Sequence, residues 1–326
     1  MRLKDKLKGA GSVVRFKLFG KKAPLVVTWA VTNRCNFRCS YCGRGRSHSP
    51  ELMTESALGI INQLSSLGCA RISFSGGEPL LREDIGELLT YCKEKKISTT
   101  LITNGSLLAE RIKEVKDADL IELSLDGPSI VNDLARSEGA FVKIAEAAKM
   151  IRSLGIKLIF NTVLTKYNIK YIDFMLDFSS KNNAAVMFGP VSNIHAKNIP
   201  IENLLPKKEE FIKAIEKLIC EKNNGSPVAN SSAALNYLRS WPYPKKITCY
   251  AGKAFCHISS DGKLYPCVAM EDKLVTLNCV NNGFEKAFKK MPEKIQCEGC
   301  WCIGTLEFNR LLACRPSALF SLWNLA

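Results

Sequence analysis

The sequence lacks the features that mark several classes of protein. It contains no run of about 18 apolar residues, so we predict no membrane-spanning helix. The N-terminus is polar and shows no signal-peptide cleavage site, which favours a cytoplasmic protein. Histidine is scarce, with three residues in 326, and no grouping of His, Asp and Ser suggests a hydrolytic site. Internal repeats are absent, so an array of repeats is not expected.

Positive charge is in excess, and it is concentrated at one end of the chain. The net charge is +15, and the first 24 residues hold eight Lys or Arg against one Asp, a balance of +7. The remainder is only mildly basic, so no nucleic-acid partner is expected. Within this basic arm (residues 1–24), Leu3, Leu7, Val14 and Leu18 share one helical face. The pattern suits peripheral contact with the inner face of an anionic membrane, or else a solvated or packed arm.

Six apolar, β-branched segments alternate with helical patterns from residue 25 onward. Strands are predicted at residues 25–32, 70–77, 98–105, 120–127, 156–165 and 184–191. Helical patterns between them include residues 54–67, 83–95, 141–154 and 171–181. This alternation predicts an α/β fold with a parallel sheet and right-handed crossovers. Every distinctive short motif follows a strand, and reactive groups gather at those strand ends in parallel barrels.

Beyond residue 192 the pattern changes twice. Residues 193–245 hold five prolines and a helical pattern near 207–222, which predicts a helical linker. Residues 246–326 are rich in cysteine and form a separate predicted domain. Within it, the segment SSDGKLYPC is predicted to be a hairpin with Asp261 and Gly262 at its turn.

Cysteine is abundant and unevenly placed. Of 14 cysteines, three lie within residues 35–42 and eight lie from residue 249 onward. In a reducing compartment, clustered thiols bind metal more often than they form disulfides. Cys69, Cys92 and Cys220 stand alone in helical or apolar context, and we interpret them as small buried hydrophobic residues.

The first cysteine group, in TNRCNFRCSYC, provides three thiols rather than four. Cys35, Cys39 and Cys42 follow a C-x3-C-x2-C spacing. A structural zinc site takes four ligands, and His48 is a candidate for the fourth. A 4Fe-4S cube held by three thiolates instead keeps one iron open to a small chelating ligand. Spacing alone leaves both sites possible.

This spacing, with Tyr41 just before the last cysteine, resembles the radical S-adenosylmethionine (radical SAM) superfamily. The segment SGGEP at 75–79 resembles the Gly-Gly-Glu-Pro motif of that family. The resemblance implies a partial (β/α)6 TIM-type barrel over residues 25–192, with a 4Fe-4S cluster on the three loop cysteines and SAM on its fourth iron. It also implies that SAM is cleaved reductively to a 5′-deoxyadenosyl radical, which abstracts hydrogen from a substrate.

The resemblance further assigns residues to SAM binding. Gly76 and Gly77 would allow close backbone approach, while Glu78 would accept hydrogen bonds from the SAM ammonium. Arg136 would hold the SAM carboxylate in a fork, unless it is a surface ion-pair residue. Phe188 would pack on adenine, unless it belongs to the core. The full expected set is Tyr41, Gly76, Gly77, Glu78, Pro79, Asn104, Ser124, Asp126, Arg136, Asn161 and Phe188.

The later cysteines resemble the SPASM and twitch extensions of the same family, which hold auxiliary 4Fe-4S clusters. The resemblance implies one auxiliary cluster, in the twitch form, on Cys249, Cys267, Cys297 and Cys300. Substitute ligands, or ligands of a second auxiliary cluster, would come from Cys256, Cys302 and Cys314. Structural zinc on the same four thiols is the alternative.

Three functions are compatible with these features. The main hypothesis is a radical SAM enzyme that oxidises or rearranges a small molecule or a lipid, and the basic arm is the reason for including lipids. The second is a SPASM-type maturase of a ribosomally made peptide or protein. The third is an iron-sulfur or zinc-binding protein without catalysis. For the two enzymes, the resemblance also implies an electron donor of the flavodoxin or ferredoxin type.

Overall fold

The computed structural model describes most of the chain. The described residues are 16–17, 20–46, 49–194, 196, 199–271, 273–274, 276–292 and 295–313. Two candidate metal ligands, His48 and Cys314, lie outside them, as do most of the basic arm and the C-terminal segment.

One sheet organises the described chain. Its strands are β1 Val26–Thr32, β2 Arg71–Gly76, β3 Ser98–Thr103, β4 Leu120–Ser124, β5 Lys157–Leu164, β6 Ala185–Pro190, β7 Phe255–Ile258 and β8 Leu264–Tyr265. They lie in the order β6-β5-β4-β3-β2-β1-β7-β8. Every neighbouring pair is parallel except β7 and β8, which are antiparallel. The first six strands confirm the predicted parallel α/β fold, with boundaries close to those expected.

Helices connect and flank the strands of the sheet. They are α1 Thr54–Ser66, α2 Ile85–Glu94, α3 Ser129–Ala135, α4 Ala140–Ser153, α5 Ile172–Lys181, α6 Lys208–Asn223, α7 Ser232–Leu238, α8 Cys279–Asn282, α9 Phe284–Lys289 and α10 Ile303–Ala313. Five of them (α1, α2, α4, α5 and α6) coincide with predicted helical patterns. In the part of the chain that the structure describes, no helix has the length and apolar composition that crossing a membrane requires.

The two faces of the strands have different chemistry. Side chains such as Phe74 and Leu123 are fully buried between the sheet and the helices. Their neighbours along the strands, such as Ser73, Glu122 and Ser124, point to the opposite face and are partly accessible. In a curved parallel sheet that opposite face is the inside of the barrel. The barrel interior therefore carries polar side chains, and those named here are partly accessible.

The cysteine-rich segment contributes two strands to this sheet. The predicted hairpin is confirmed, because β7 and β8 pair antiparallel around the turn that contains Asp261 and Gly262. The sequence does not predict that β7 also pairs with β1, in a parallel register from Val26–Phe255 to Trp29–Ile258. The cysteine-rich segment thus extends the edge of the barrel through β7 and β8.

Candidate active site

The first cysteine group lies on a loop that follows β1 and is held by the ends of other strands. The N–H of Gly77, after β2, donates to the carbonyl of Thr32 at 2.9 Å. The N–H of Ser40, between two of the cysteines, donates to the carbonyl of Ala135 at 2.8 Å. These bonds place the thiols at the C-terminal end of the barrel, where the sequence predicts the reactive groups.

The two glycines of the SGGEP motif allow this contact. A Cβ added at Gly76 would lie 2.1 Å from the carbonyl oxygen of Thr32. One added at Gly77 would lie 2.1 Å from the carbonyl oxygen of Arg34. Gly76 also has a φ of +133°, which residues with a side chain rarely adopt. The motif therefore packs its backbone directly on the backbone of the cysteine loop.

The three loop thiols are partly accessible and influence one another. Burial raises the pKa of Cys39 to about 12, although the nearby Arg136 guanidinium opposes the shift. Burial likewise raises the pKa of Cys35. Three thiols on one loop are a donor set that fits a 4Fe-4S cube with one open iron. Within the described ranges, no three Cys, His, Asp or Glu side chains already stand in a metal-holding geometry.

Tyr41 joins the cysteine loop to the end of β4 through a buried polar group. Its hydroxyl donates to Asp126 Oδ2 at 2.5 Å. Asp126 Oδ1 accepts from the N–H of Val163 at 2.9 Å, and Arg136 Nε lies 2.8 Å from Asp126 Oδ2. Burial would lower the pKa of Arg136, but the charges of Asp126 and Tyr41 raise it above its ordinary value. Arg136 is thus a buried ion-pair residue, and its contact with SAM stays a prediction.

Glu78 is fully buried and is bonded to the end of β3. Its carboxylate accepts from Thr103 Oγ1 at 2.6 Å, from the N–H of Asn104 at 2.8 Å and from the N–H of Leu80 at 3.1 Å. Burial raises the pKa of Glu78 despite these bonds. A carboxylate accepts about four hydrogen bonds, so one position remains for a further donor. Pro79, also buried, begins the short 3-10 turn that follows.

Asn104 connects the TNG segment to the same loop. Its side-chain N–H donates to Asn36 Oδ1 at 2.9 Å, and Asn36 Nδ2 donates to Ser106 Oγ at 2.8 Å. The ends of β1, β2, β3 and β4 therefore all contact the cysteine loop or support it. The structure brings the predicted residues of these four strand ends together.

The remaining predicted residues lie along the barrel interior or behind it. Ser124 and Asn161 are on the interior face, where Asn161 donates a hydrogen bond to the side chain of Glu122. Phe188 instead lies fully buried in the main core. The strand alternation gives the interior position of β6 to Met187, which is partly accessible. The placement of Phe188 supports its alternative, core packing, over contact with adenine.

A charged pair inside the barrel is a feature that the sequence analysis misses. Burial raises the pKa of Glu122, while the charge of Arg71 lowers it in part. Burial lowers the pKa of Arg71, and the charge of Glu122 opposes this. Both side chains are partly accessible from the interior. The only sequence signal for them is a charge at alternate positions of otherwise apolar strands.

Five of the later cysteines form a second group: Cys249, Cys267, Cys297, Cys300 and Cys302. Cys267 is buried, whereas Cys249 and Cys297 are exposed. Burial raises the pKa of Cys300, and the nearby thiols of Cys302, Cys267 and Cys249 raise it further. The four predicted auxiliary ligands therefore lie near one another, and Cys302 lies among them.

Packing around Tyr237 fixes the loop that carries Cys297 and Cys300. The N–H of Cys300 donates to the Tyr237 hydroxyl oxygen at 2.9 Å, and that hydroxyl donates to the carbonyl of Lys245 at 3.0 Å. A Cβ at Gly299 would lie 2.2 Å from Pro244 Cβ, so the turn between the two cysteines is tightly packed.

Cys256 lies apart from the auxiliary group, which corrects its place among the candidate ligands. It is 1% exposed, on β7, and its side chain belongs to the main core. The thiols that influence its pKa are those of Cys279 and Cys69, both buried. Strand alternation is the reason, since β7 turns Cys256 toward the helices. Cys69 and Cys92 are also buried, as expected, but Cys220 is exposed.

A buried ion pair links the two cysteine-bearing parts of the chain. Arg44, which follows Cys42, donates to both carboxylate oxygens of Glu271, which follows Cys267. His257 Nε2 lies 3.4 Å from Glu271 Oε2. Sequence reasoning misses this contact because its partners are 227 residues apart.

Comparison with known proteins agrees with this architecture. The sequence model of the Radical SAM superfamily matches residues 29–179. Fe-coproporphyrin III synthase from Methanosarcina barkeri is 35% identical over 166 residues, which is 49% of this chain but only 42% of that protein. PqqA peptide cyclase from Granulibacter bethesdensis is 30% identical over 264 residues, which is 76% of this chain and 68% of that protein.

Solved structures share the fold at low identity. Streptococcus suis SuiB bound to its precursor peptide SuiA superposes with a TM-score of 0.69 and 21% identity, over 83% of this chain and 66% of that one. The protein anSMEcpe with bound AdoMet gives a TM-score of 0.66 and 19% identity, over 82% of this chain and 78% of that one. Together, the cysteine loop, the glycine motif, the barrel and the extent of the PqqA peptide cyclase match show that the chain belongs to the radical SAM superfamily and is a radical SAM enzyme of the SPASM/twitch class.

Proposed function

We propose that the protein uses SAM and two 4Fe-4S clusters to abstract hydrogen from a peptide made on the ribosome. The observation that carries the radical chemistry is the contact of the three-thiol loop with the backbone of the SGGEP motif. Cys35, Cys39 and Cys42 would hold a 4Fe-4S cluster, which when bound and reduced would supply reductive cleavage of SAM to a 5′-deoxyadenosyl radical. The second cluster would be held by Cys249, Cys267, Cys297 and Cys300.

The chain itself supplies position and shielding. Tyr41, Asp126 and Arg136 hold the cysteine loop rigidly against the end of β4 through buried bonds. Glu78 ties the SGGEP turn to β3, which fixes the backbone groups that would face SAM. The barrel interior then presents polar side chains, including Glu122 and Asn161, toward a substrate. Holding the reacting atoms in place in this way can account for a large part of a rate enhancement.

The similarity to PqqA peptide cyclase supports a peptide as the substrate. That similarity covers 76% of this chain, and thus extends well beyond the predicted barrel of residues 25–192. SuiB, which shares the fold, has been solved with a precursor peptide bound. A peptide also suits an interior that presents partly accessible polar side chains such as Glu122 and Asn161. Among the hypotheses drawn from the sequence, the maturase is therefore preferred to the small-molecule or lipid enzyme.

A small molecule is the second candidate substrate. The higher identity, 35%, is to Fe-coproporphyrin III synthase, over 166 residues. That length is close to the length of the barrel alone, so it supports shared chemistry at the SAM site more than a shared substrate.

The test uses the anaerobically reconstituted protein with SAM and a chemical reductant. The candidates are short peptides encoded beside its gene, prepared with deuterium at their side chains. Transfer of deuterium into 5′-deoxyadenosine, measured by mass spectrometry, is the expected result. Coproporphyrin and an isoprenoid lipid, labelled in the same way, serve as the competing substrates. Transfer from either of those and from none of the peptides would reject the peptide proposal.

A triple variant tests the SAM-cleavage site independently of the identity of the substrate. Replacing Cys35, Cys39 and Cys42 together by Ala is expected to abolish formation of 5′-deoxyadenosine, while iron remains at the C-terminal group. Continued SAM cleavage by this triple variant would show that the radical site lies elsewhere.

A further inference from the structure

Two oppositely charged side chains face each other inside the barrel without forming an ion pair. Arg71 begins β2 and Glu122 lies in the middle of β4, and both are partly accessible on the interior face. They are near enough that the charge of each shifts the pKa of the other. Yet no nitrogen of Arg71 lies within 4.0 Å of an oxygen of Glu122. A pair that only stabilised the barrel is expected to close to contact, because burial makes separated charges costly.

Both groups keep hydrogen-bonding capacity that the protein does not use. Within the part of the chain that the structure describes, the Arg71 guanidinium makes no hydrogen bond, although it has five N–H donors. The Glu122 carboxylate accepts from Asn161, and a carboxylate can accept about four such bonds. Unused donors therefore face unused acceptors across a gap.

A third polar group lies between the two charges. Thr100 is on β3, the strand between β2 and β4. Along β3 it is two residues from the partner of Arg71 and two residues from the partner of Glu122, and it pairs with Ser73 on the interior face. Its side chain is 1% exposed, and its hydroxyl is buried without a hydrogen-bond partner among the described residues. An unpartnered buried hydroxyl is costly, so this one points to a ligand that supplies the missing bond.

The charges around these three residues favour a neutral ligand. Arg71 and Glu122 balance each other, and the other charge that influences Arg71 is Asp119, a second carboxylate. Asp119 accepts from the N–H of Thr99 at 2.9 Å, which holds it at the start of β3. An anion would therefore meet two carboxylates, and a cation would meet the guanidinium. A neutral group with a strong acceptor and a strong donor fits instead, and the amide is the group of a peptide that has both.

We infer that Arg71, Thr100 and Glu122 form a binding site for an amide group of the substrate. Arg71 donates to the amide oxygen, Glu122 accepts from the amide N–H, and the Thr100 hydroxyl bonds to either of them. The amide is a main-chain peptide unit or the side-chain amide of Asn or Gln. This inference rests on the proposed function, because it names the part of a peptide that the barrel recognises.

The position of the site suits an anchor for the substrate. Arg71 is the first residue of β2, and Gly76, which packs on the cysteine loop, is the last. A strand rises about 3.3 Å per residue, which puts roughly 17 Å along the strand between them. Binding an unreactive part of the substrate at this distance from the SAM site orients the part that reacts.

The test measures the binding of small probes to the reconstituted protein with SAM and without reductant, so that no turnover occurs. N-benzylacetamide represents a peptide unit, and phenylacetamide represents a side-chain amide. Benzyl acetate, phenylacetate and benzylamine are probes of similar size that present an ester, an anion and a cation. Saturation-transfer NMR titrations give the dissociation constants. At least one amide is expected to bind about tenfold more tightly than each of the other three probes.

Variants connect this preference to the site. Arg71→Met and Glu122→Met are expected to remove it, since each loses one half of the site. Benzyl acetate has no N–H, so Arg71→Met should weaken its binding and Glu122→Met should not. Arg152→Met, on the exposed face of α4, removes the same charge and should leave every dissociation constant unchanged. Thr100→Val keeps the shape of the side chain and removes the unpartnered hydroxyl. It should fold at least as stably as the unchanged protein and bind the amide about fivefold more weakly, which keeps the test decisive if the Met variants fail to fold.

Several outcomes would overturn the inference. Equal dissociation constants for the amides and the ester would do so. Tightest binding of phenylacetate or benzylamine would show an anion or a cation site instead. An amide preference that survives in all three site variants would show that the probes bind elsewhere. The identity of the preferred amide distinguishes a main-chain unit from a side chain.

The proposed function and the amide site can fail separately, because none of these binding measurements involves hydrogen abstraction. A peptide panel that gives no deuterium transfer would reject the proposed function and leave the amide preference standing. Loss of the amide preference would reject the site and leave the radical chemistry standing.

Discussion

Single atoms decide whether the SGGEP turn can lie on the cysteine loop. At Gly77 even one methyl group would meet the carbonyl oxygen of Arg34 at 2.1 Å. Carbonyl oxygens of the main chain cannot move aside cheaply, so the turn would have to shift as a whole. The site is therefore intolerant of the smallest side chain at this position.

We expect Gly77→Ala to lower SAM cleavage by about a hundredfold, the loss that a displacement of about 1 Å at a reacting group produces. Formation of 5′-deoxyadenosine under a chemical reductant measures it. The control is Gly59→Ala in α1, where an added Cβ meets nothing within 4 Å. There we expect full activity and a gain in stability of about 0.5–1 kcal/mol. A Gly77→Ala protein with unchanged activity would contradict the close approach of the two backbones.

The single residue Glu307 makes the free energy of unfolding depend on pH. It lies on α10 and accepts from the N–H of Ser231, before α7, at 2.9 Å. Burial raises the pKa of Glu307, although the bond from Ser231 opposes the shift. A carboxyl with a raised pKa binds its proton more tightly in the folded protein than in the unfolded one. Stability is therefore lost as pH rises from the ordinary value of 4.5 through the raised pKa.

Glu307→Gln keeps the acceptor oxygen and removes this loss. We measure the temperature midpoint of unfolding anaerobically at about pH 5 and about pH 8. The midpoint of the variant minus that of the unchanged protein is expected to be larger at about pH 8. The exposed Glu146→Gln on α4 serves as the control and should give the same difference at both pH values. A constant difference for Glu307→Gln as well would show that its burial has no effect on ionisation.

At the scale of elements, most of the barrel could be predicted and most of the contacts between distant segments could not. β-branched runs identified β1 to β6 because strand and helix patterns differ clearly over long segments. The hairpin of β7 and β8 was predicted, but the pairing of β7 with β1 was not, because nothing local in four buried residues indicates a partner so far away in the sequence. α3 was missed because Ile130 and Leu134 are exposed, so the helix shows no ordinary apolar stripe.

The candidate site shows the same division. The cysteine spacing and the motifs are patterns within short stretches of sequence, so the residues of the cysteine loop could be predicted. The face of the strand on which a side chain lies was harder to predict. Phe188 and Cys256, both candidate site residues, lie on the core side of their strands. Arg44 and Glu271 could not be paired from the sequence, since nothing local indicates a partner 227 residues away.

That ion pair joins the first cysteine loop to the segment after β8. Both side chains are 5% exposed. Removing one member of a buried pair leaves the other charge in a dry environment and typically costs about 3–5 kcal/mol. We expect Glu271→Ala to lose about that much free energy of unfolding in anaerobic urea titrations. Asp177→Ala is the control, because its partner Lys181 is 73% exposed, and we expect it to lose at most about 1 kcal/mol. Equal losses would show that burial does not strengthen the Arg44 pair.

At the scale of the whole molecule, the metal content distinguishes the hypotheses for the second cysteine group. We expect about eight iron atoms per chain, from two 4Fe-4S cubes. Cys249→Ala with Cys300→Ala should lower the value to about four and leave SAM cleavage measurable. About four iron atoms together with one zinc in the unchanged protein would support structural zinc. About twelve would indicate a second auxiliary cluster, for which Cys302 and Cys314 remain candidates.

The basic arm gives the second prediction at this scale. Each basic residue near an anionic surface contributes about 1 kcal/mol to membrane binding, and an apolar face adds to it. If the substrate is a lipid, deletion of residues 2–20 should sharply reduce binding to anionic liposomes. Iron content and uncoupled SAM cleavage should stay the same, and salt should weaken the binding of the intact protein. Failure of the intact protein to bind liposomes at low ionic strength would leave the lipid hypothesis without support.

The pairing of β1 with β7 also has a consequence for folding during synthesis on the ribosome. Thr28 and Cys256, whose atoms meet across this pair, are separated by 228 residues. At a synthesis rate of about 5–20 residues per second, β1 waits roughly 11 to 46 seconds for its neighbour. Throughout that time one edge of β1 carries unpaired N–H and C=O groups beside an apolar face, which is the kind of surface that joins other chains. A chain halted before residue 255 would keep this edge permanently, so incomplete products are expected to aggregate or to need chaperones, while the finished chain covers the edge with its own C-terminal strands.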